Sequence, residues 1–282
     1  MPSSLSHSEF QLFKKYIKEK CGIDISDDKA YLIETRLSKL LVDSGLDSFE
    51  GLYQMIIRNT DPYISEKVID AITTNETLWF RDKSPWVMLE ELFLPQWIDQ
   101  IRSGKTQKIR IWSAAASTGQ EAYSTAMCID HYLLKKGIKD IGLSQFEIIA
   151  TDISKTVLEI ARKGRYDAIS IMRGLDPDYK ERYFKKDGMV WLLDDKIKNA
   201  VKFEHFNLQN TFLFLGKFEL VFCRYVLIYF AESLKMEVFS KIFNITEPQG
   251  YLLIGASELF NGLDQFYEMR HHQNGTYYVK KG

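Results

Sequence analysis

The feature that most constrains this chain is a change of hydrophobic period near residue 75. Before it, every apolar stripe has helical spacing. Ser6 and Glu9 stand at capping-box spacing ahead of Phe10, Phe13 and Ile17, and Gly22 closes that helix. A second helix follows Ser26, carries Ile33, Leu37, Leu40 and Leu41 on one face, and ends at Gly45. Ser48 caps a third with Phe49, Leu52 and Ile56, and Asp61-Pro62 opens a fourth. Beyond this small bundle the pattern alternates. Residues 108–113, 146–151, 201–206, 218–223 and 251–255 read as strands, and 119–136, 154–163 and 232–246 as helices. Strand alternating with helix predicts a parallel sheet covered on both faces. Between Gly164 and Ala200 the alternation breaks. There Tyr166, Tyr183, Phe184 and an apolar run at 189–193, with a turn at Asp187-Gly188, predict a small antiparallel insertion. Residues 276–280 read as an antiparallel closing strand.

The expected organisation is a helical domain at 1–74, a linker and helix at 75–107, and an α/β domain at 108–282 with a β insertion at about 165–200. A length of 282 residues suits about two domains. The net charge of -1 excludes a nucleic-acid partner held by bulk positive charge. Cys21, Cys128 and Cys223 are far apart with no metal spacing, which predicts reduced, buried thiols in a cytosolic protein. The first 25 residues lack an export signal. The longest apolar stretch, 218–231, is broken by Glu219 and Arg224 and is too short to span a bilayer.

In an open α/β sheet, ligands bind beyond the carboxyl ends of the strands. After the first strand comes Ala114-Ala115-Ala116-Ser117-Thr118-Gly119-Gln120-Glu121, whose small residues let backbone approach a ligand; it is not GxGxxG, which disfavours a dinucleotide dehydrogenase. A tight turn, with Glu121 complementing the helix dipole, explains it equally well. Asp152, after the second strand, can accept from both hydroxyls of a ribose or cap the next helix. Asn207 and Leu208 follow the third; an asparagine suits an adenine edge or a turn. Arg224 and Tyr225, then Tyr229, follow the fourth. An arginine in that apolar run is costly unless partnered, which favours function. The connector Asn75-Glu76-Thr77-Leu78-Trp79-Phe80-Arg81 packs polar groups around aromatics at a domain junction. It is either part of a site or a linker whose aromatics dock the two domains.

Taken in order, NETLWFR, WSAAASTGQEAYS, the aspartate after the second strand, FNL and CRYVLIYF resemble the CheR-type chemotaxis receptor glutamate methyltransferases over nearly the whole chain. The resemblance implies a Rossmann-like S-adenosylmethionine-dependent methyltransferase domain with a small antiparallel β insertion, preceded by an all-α domain. It implies methyl esterification of glutamates on cytoplasmic helices of chemoreceptors, with S-adenosylhomocysteine as product, by a cytoplasmic, monomeric enzyme without metal, nucleic-acid partner or membrane insertion. By position, Asn75, Thr77 and Arg81 resemble the linker residues that close over the cofactor. Glu121 resembles the residue at its methionine end, Asp152 that at its ribose, and Asn207 and Leu208 the adenine-side contacts. Arg224 and Tyr225 occupy the family's pair after the fourth strand, and Tyr229 matches its motif tyrosine near the methyl group. Arg81 and Tyr229 are the candidates for orienting the acceptor carboxylate. Arg36 and Lys39 resemble basic residues that face the acidic receptor helix.

Departures also carry expectations. Tyr225 stands where the family usually has asparagine, which puts a side-chain contact there in doubt and keeps open a non-catalytic cofactor-binding signalling module. Ala122 replaces the usual proline, and Gln120 an acid. The loop Lys185-Lys186-Asp187-Gly188 is short with one glycine, which predicts no tethering through a receptor's C-terminal pentapeptide. A methyltransferase for another substrate is the remaining alternative; CRYV is not the [DN]PPY common in amino-methylating DNA enzymes. The helical domain is acidic overall, so only the edge formed by Lys29, Arg36 and Lys39 can attract glutamates.

Overall fold

The computed structural model describes residues 4–282; the first three residues of the expected helical domain lie outside them. Four helices open the chain: α1 (His7–Cys21), α2 (Ala30–Asp43), α3 (Phe49–Arg58) and α4 (Ile64–Ile72). The Ser6–Glu9 capping box forms, and Gly22 ends α1 with a φ of 79°. The Ser48 hydroxyl accepts from the Gly51 amide at the start of α3. Two boundaries move. A 3-10 turn at Asp27–Lys29 precedes α2. The fourth helix starts at Ile64 and not at Pro62, because the Asp61 carboxylate accepts from the Tyr63 amide and holds Pro62 in the turn before the helix. Phe10, Phe13, Ile33, Leu37, Phe49 and Leu52 fill the bundle core.

After the linker, α5 (Ser84–Met88) runs through a π-helical stretch, Leu89–Phe93, into α6 (Leu94–Arg102). The main sheet follows: β1 (Ile109–Ala114), α7 (Gln120–Lys135), β2 (Phe146–Asp152), α8 (Lys155–Lys163). The insertion holds β3 (Arg165–Asp167), α9 (Ala168–Met172), α10 (Pro177–Tyr183), β4 (Phe184–Asp187) and β5 (Val190–Leu193). Its three strands form a separate antiparallel sheet in the order β3-β5-β4. The chain returns through α11 (Asp195–Asn199), β6 (Val201–His205), β7 (Phe218–Cys223), α12 (Glu232–Ile245), β8 (Thr246–Leu253), β9 (Tyr267–His272) and β10 (Gly275–Lys280). The main sheet has the order β6-β2-β1-β7-β8-β10-β9, with only β10 antiparallel to its neighbours. This is the mainly parallel sheet that the alternation predicts, in the Rossmann-like fold that the resemblance implies. The strand β9 was not legible because its residues after Tyr267 are mostly polar and exposed, and the helices α9 and α10 because five to seven residues are too few to show a helical period.

Strand order reverses at β1, between β2 and β7, so a crevice opens beyond the carboxyl ends of these strands. The helical bundle covers it. A lone bridge joins Ile23 to Phe230, and the Asp24 amide donates to the Tyr229 carbonyl at 2.8 Å. On the other flank α4 meets α8, with Lys155 paired to Glu66. The linker is pinned by Trp79, which is fully buried, edge-on to Tyr166 and Phe184, and donates its indole N–H to the Ser170 carbonyl. The aromatic part of the connector therefore docks the insertion. All three cysteines are free and buried, as their spacing predicts. Among the described residues, no helix is long and apolar enough to cross a membrane.

Candidate active site

One partly open cleft lies between bundle, linker and sheet. Asn75, Thr77, Arg81, Glu121, Asp152, Asn207, Leu208, Arg224, Tyr225 and Tyr229 all line it. Residues from five separate stretches of sequence thus converge, each from the linker or from just past a strand.

Beyond β1 the backbone turns sharply. Ala115 and Ser117 have left-handed backbones, with φ of 57° and 51°, and Gly119, at 93°, leads into α7. A Cβ at Gly119 would sit 3.0 Å from that of Ala161 and 3.1 Å from the Phe203 ring, so the turn needs glycine for packing as well as for conformation. Such strain costs about 1–3 kcal/mol per residue and persists only where neighbours enforce it. They do so here. The Ser117 amide donates to Asp152 Oδ2 at 2.8 Å, and its hydroxyl to the Asn75 carbonyl at 2.8 Å.

Asp152 ends β2 and is almost completely buried. Burial pushes its carboxyl above the ordinary aspartate value, although the amides of Ser154 and Ser117 pull the other way. Each carboxylate oxygen accepts one amide, at 2.8 and 2.9 Å, which leaves a second lone pair on each. The helix cap read from sequence falls instead to Ser154, whose hydroxyl accepts from the Val157 amide, while Asp152 keeps lone pairs open for ribose hydroxyls.

Asn207 departs from the expectation of an adenine edge. Its side-chain N–H donates to the Lys20 carbonyl at 2.8 Å, and its oxygen accepts from the Gln209 amide at 2.9 Å. The amide group ties the end of α1 to the loop after β6. What remains there is backbone: the Leu208 N–H has no partner among the described residues. Ile153, Phe206 and Leu208 give this end of the cleft apolar walls. Cys21 also lines it, with burial holding its thiol up at about 11, so it stays uncharged.

Arg224 is engaged too. Its side chain lines the cleft but is only 2% exposed, its donors engaged within the protein. It donates to Glu121 Oε2 at 2.6 Å, to Asp82 Oδ2 at 2.7 Å and to the Arg81 carbonyl at 2.8 Å. The arginine in the apolar run finds its partners in the linker and in the first turn of α7, and it clamps one to the other. Burial opposes the charge of Arg224, but Glu121 and Asp82 outweigh it and hold the guanidinium firmly protonated. Burial raises Asp82, and the Tyr225 phenol with Arg224 more than reverses this, leaving its carboxyl below the usual value. The other oxygen of Glu121 accepts from the Ser113 hydroxyl at 2.8 Å.

Tyr225 does not plug the cleft. Its phenol donates to Asp82 Oδ2 at 2.6 Å, and the Arg81 guanidinium lies 3.6 Å from its ring centroid. Its amide donates to Glu258 Oε2 at 2.8 Å, holding the backbone at a φ of 59°. Burial lifts the Glu258 carboxyl above its ordinary value despite the amides of Tyr225 and Gly255. Sequence reasoning missed Asp82 and Glu258. A search for the carboxylate that a buried arginine needs would have led to Asp82, and inspection past the fifth parallel strand to Glu258.

Arg36 lies outside this cleft, in an adjoining groove with Leu32, Ile228 and Tyr229. It does not simply face outward: its guanidinium donates to the Ile72 carbonyl and to the Thr74 hydroxyl, capping α4 and steadying the linker. Lys39 is exposed on α2, with no ion pair among the described residues.

These features fit S-adenosylmethionine. There is a buried carboxylate with free lone pairs for hydroxyls, an unpartnered amide beside apolar walls for a base edge, and an acidic side chain, Glu121, at the turn after β1. Residues 75–276 match the family model described as CheR methyltransferase, SAM binding domain, and residues 8–73 that described as CheR methyltransferase, all-alpha domain. The chain is 39% identical over 279 residues to chemotaxis protein methyltransferase Cher2 of Pseudomonas putida, covering 99% of this chain and 100% of the relative. It is also 39% identical over 285 residues to chemotaxis protein methyltransferase 1 of Pseudomonas aeruginosa, with 99% and 100% covered. To a chemotaxis protein methyltransferase of Vibrio parahaemolyticus it is 38% identical over 280 residues, with 99% and 98% covered.

Proposed function

This chain belongs to the CheR methyltransferase family and is an S-adenosylmethionine-dependent methyltransferase acting on chemoreceptors, and we propose that it esterifies glutamate side chains on their cytoplasmic helices, in the cytoplasm and as a monomer. The carrying observation is Arg81: a cation with no carboxylate partner among the described residues, lining a cleft whose other groups fit the cofactor. Asp152 would hold the ribose hydroxyls, the Leu208 amide the base edge, and Glu121 the methionine end. Asn75 and Thr77 would close the linker over them.

When bound, S-adenosylmethionine supplies a methyl group activated by a positive sulfur. The chain's own part is placement. A glutamate with a pKa of about 4.3 is already ionised at neutral pH, so no general base is required. Arg81 orients the carboxylate by charge, and Tyr229, at the junction of the cleft and the adjoining groove, borders its approach. The bundle and linker wall the cleft, and keeping water from the reacting groups there would favour the more neutral transition state over separated charges. The module reading loses its support, because the Tyr225 ring is held beside the cleft. No pentapeptide tether is proposed: the turn of the insertion is the tight β4–β5 hairpin at Gly188.

Two measurements test this reading. Labelled S-adenosylmethionine with a chemoreceptor cytoplasmic fragment should yield methyl groups released as methanol by base, at a rate flat above about pH 6. A base-stable product, or a rate climbing through the alkaline range, would mean a nitrogen acceptor. Docking is best tested at Lys39, because changing Arg36 would also disturb the linker. Lys39→Glu is expected to raise the KM for the receptor fragment roughly three- to tenfold at low salt, less at high salt. Affinity for S-adenosylhomocysteine should stay unchanged; a parallel loss would remove Lys39 from the docking face.

A further inference from the structure

Two arginines meet at this site and are treated in opposite ways. Arg224 is held by two carboxylates. Arg81 has no carboxylate partner among the described residues; its one internal hydrogen bond is a long one, 3.3 Å, to the Glu76 carbonyl. A long flexible side chain so loosely held should wander. It is placed instead by a ring, with the guanidinium 3.6 Å from the centroid of Tyr225. An aromatic face attracts a cation through its quadrupole without neutralising it. The guanidinium therefore keeps its charge and donors for an incoming anion, which a salt bridge would have taken.

The ring itself is fixed. The Tyr225 phenol donates to Asp82, which Arg224 and the Ala256 amide also engage. The Tyr225 backbone is anchored through Glu258. Gly255 makes room: a Cβ there would lie 2.7 Å from one ring carbon and 2.8 Å from another. We propose that Tyr225 is a positioning residue, a locked aromatic platform that holds the Arg81 guanidinium over the cleft with no carboxylate bonded to it and so favours an anionic acceptor. This rests on the reading above, in which the acceptor is a carboxylate.

The test is a double-mutant cycle in the full chain. Tyr225→Asn removes the platform and tolerates the left-handed backbone best, so strain is not the variable. Tyr225→Phe keeps the ring and loses only the Asp82 bond. Each is made with Arg81 and with Arg81→Ala. Rates are read on a chemoreceptor cytoplasmic fragment, affinity by titration with S-adenosylhomocysteine, and the Arg81 side-chain N–H signal by NMR without ligand. Tyr225→Asn is expected to lower kcat about tenfold, with affinity changed less than about twofold. Tyr225→Phe should stay within about threefold of wild type. With Arg81→Ala, the Asn substitution should cause no further loss. The NMR signal should carry a ring-current shift that survives Tyr225→Phe and vanishes in Tyr225→Asn.

An equal loss in both backgrounds would overturn the proposal, since Tyr225 would then act independently of Arg81. So would a parallel fall in S-adenosylhomocysteine affinity, full activity of Tyr225→Asn, or an Arg81 signal insensitive to the ring. If wild-type protein transfers no methyl to the receptor fragment, the carboxylate reading fails instead, and this is seen before any variant is made.

Discussion

Arg224→Leu is expected to destabilise the fold by about 3–5 kcal/mol at neutral pH, because it strands two carboxylates that share one buried cation. Glu121 and Asp82 are themselves largely shielded from water, so neither can recover full hydration. The loss also releases the Arg81 carbonyl, and with it the linker's hold on the sheet. Urea unfolding followed by tryptophan fluorescence would measure it. The sign of its pH dependence follows from Asp82. Its carboxyl sits below the ordinary value, so its contribution to wild-type stability is complete above the unfolded aspartate pKa of about 3.9 and is lost as pH falls through the folded one. In the variant the same carboxylate has lost its cation and protonates more readily. The gap between the two proteins should therefore narrow in acid. Arg224→Lys should recover only part of the loss, since an ammonium cannot span two carboxylates and a carbonyl with a planar fork. A loss below about 1 kcal/mol in Arg224→Leu would mean that the clamp does not form in solution.

Asp152→Ala is expected to weaken S-adenosylhomocysteine binding by about 10²- to 10⁴-fold. Two hydrogen bonds to a charged acceptor contribute roughly 1.5–3 kcal/mol each, and each 1.4 kcal/mol is tenfold. Calorimetric titration reads this directly. Asp152→Asn keeps the shape and one acceptor and should lie between. Because burial raises the Asp152 carboxyl, wild-type affinity should begin to fall in acid at a higher pH than an ordinary aspartate would give. A wild-type affinity that held steady until the ordinary aspartate range, or an alanine variant that bound normally, would place the ribose elsewhere.

The fold was legible because its strands are short apolar runs set between periodic helices, and the sheet's switch point directs attention to the residues beyond each strand. That rule alone reached Glu121, Asp152, Leu208 and Tyr225, all of which line one cleft. What single positions could not show was how each side chain is engaged. Arg224 looked functional because an unpartnered arginine is costly there; its partner Asp82 lies 142 residues earlier, and no local pattern joins them. Asn207 serves Lys20, 187 residues away, for the same reason. The resemblance gave Arg36 as a residue facing the receptor helix; its bonds to the Ile72 carbonyl and the Thr74 hydroxyl, 36 and 38 residues away, were not legible. The Asp61-Pro62 pair was read as the cap and first position of the fourth helix, but the Asp61 carboxylate accepts from the Tyr63 amide and holds the pair in a turn before it.

The lone bridge from Ile23 to Phe230, with the Asp24 amide on the Tyr229 carbonyl, has a consequence for how the chain can be divided. The backbone that presents Tyr229 is braced by a segment more than two hundred positions upstream. The amino-terminal helices are thus a structural wall of the reaction chamber and not a detachable adaptor. Severed at residue 75, the remainder would keep its sheet but lose one jamb of its doorway.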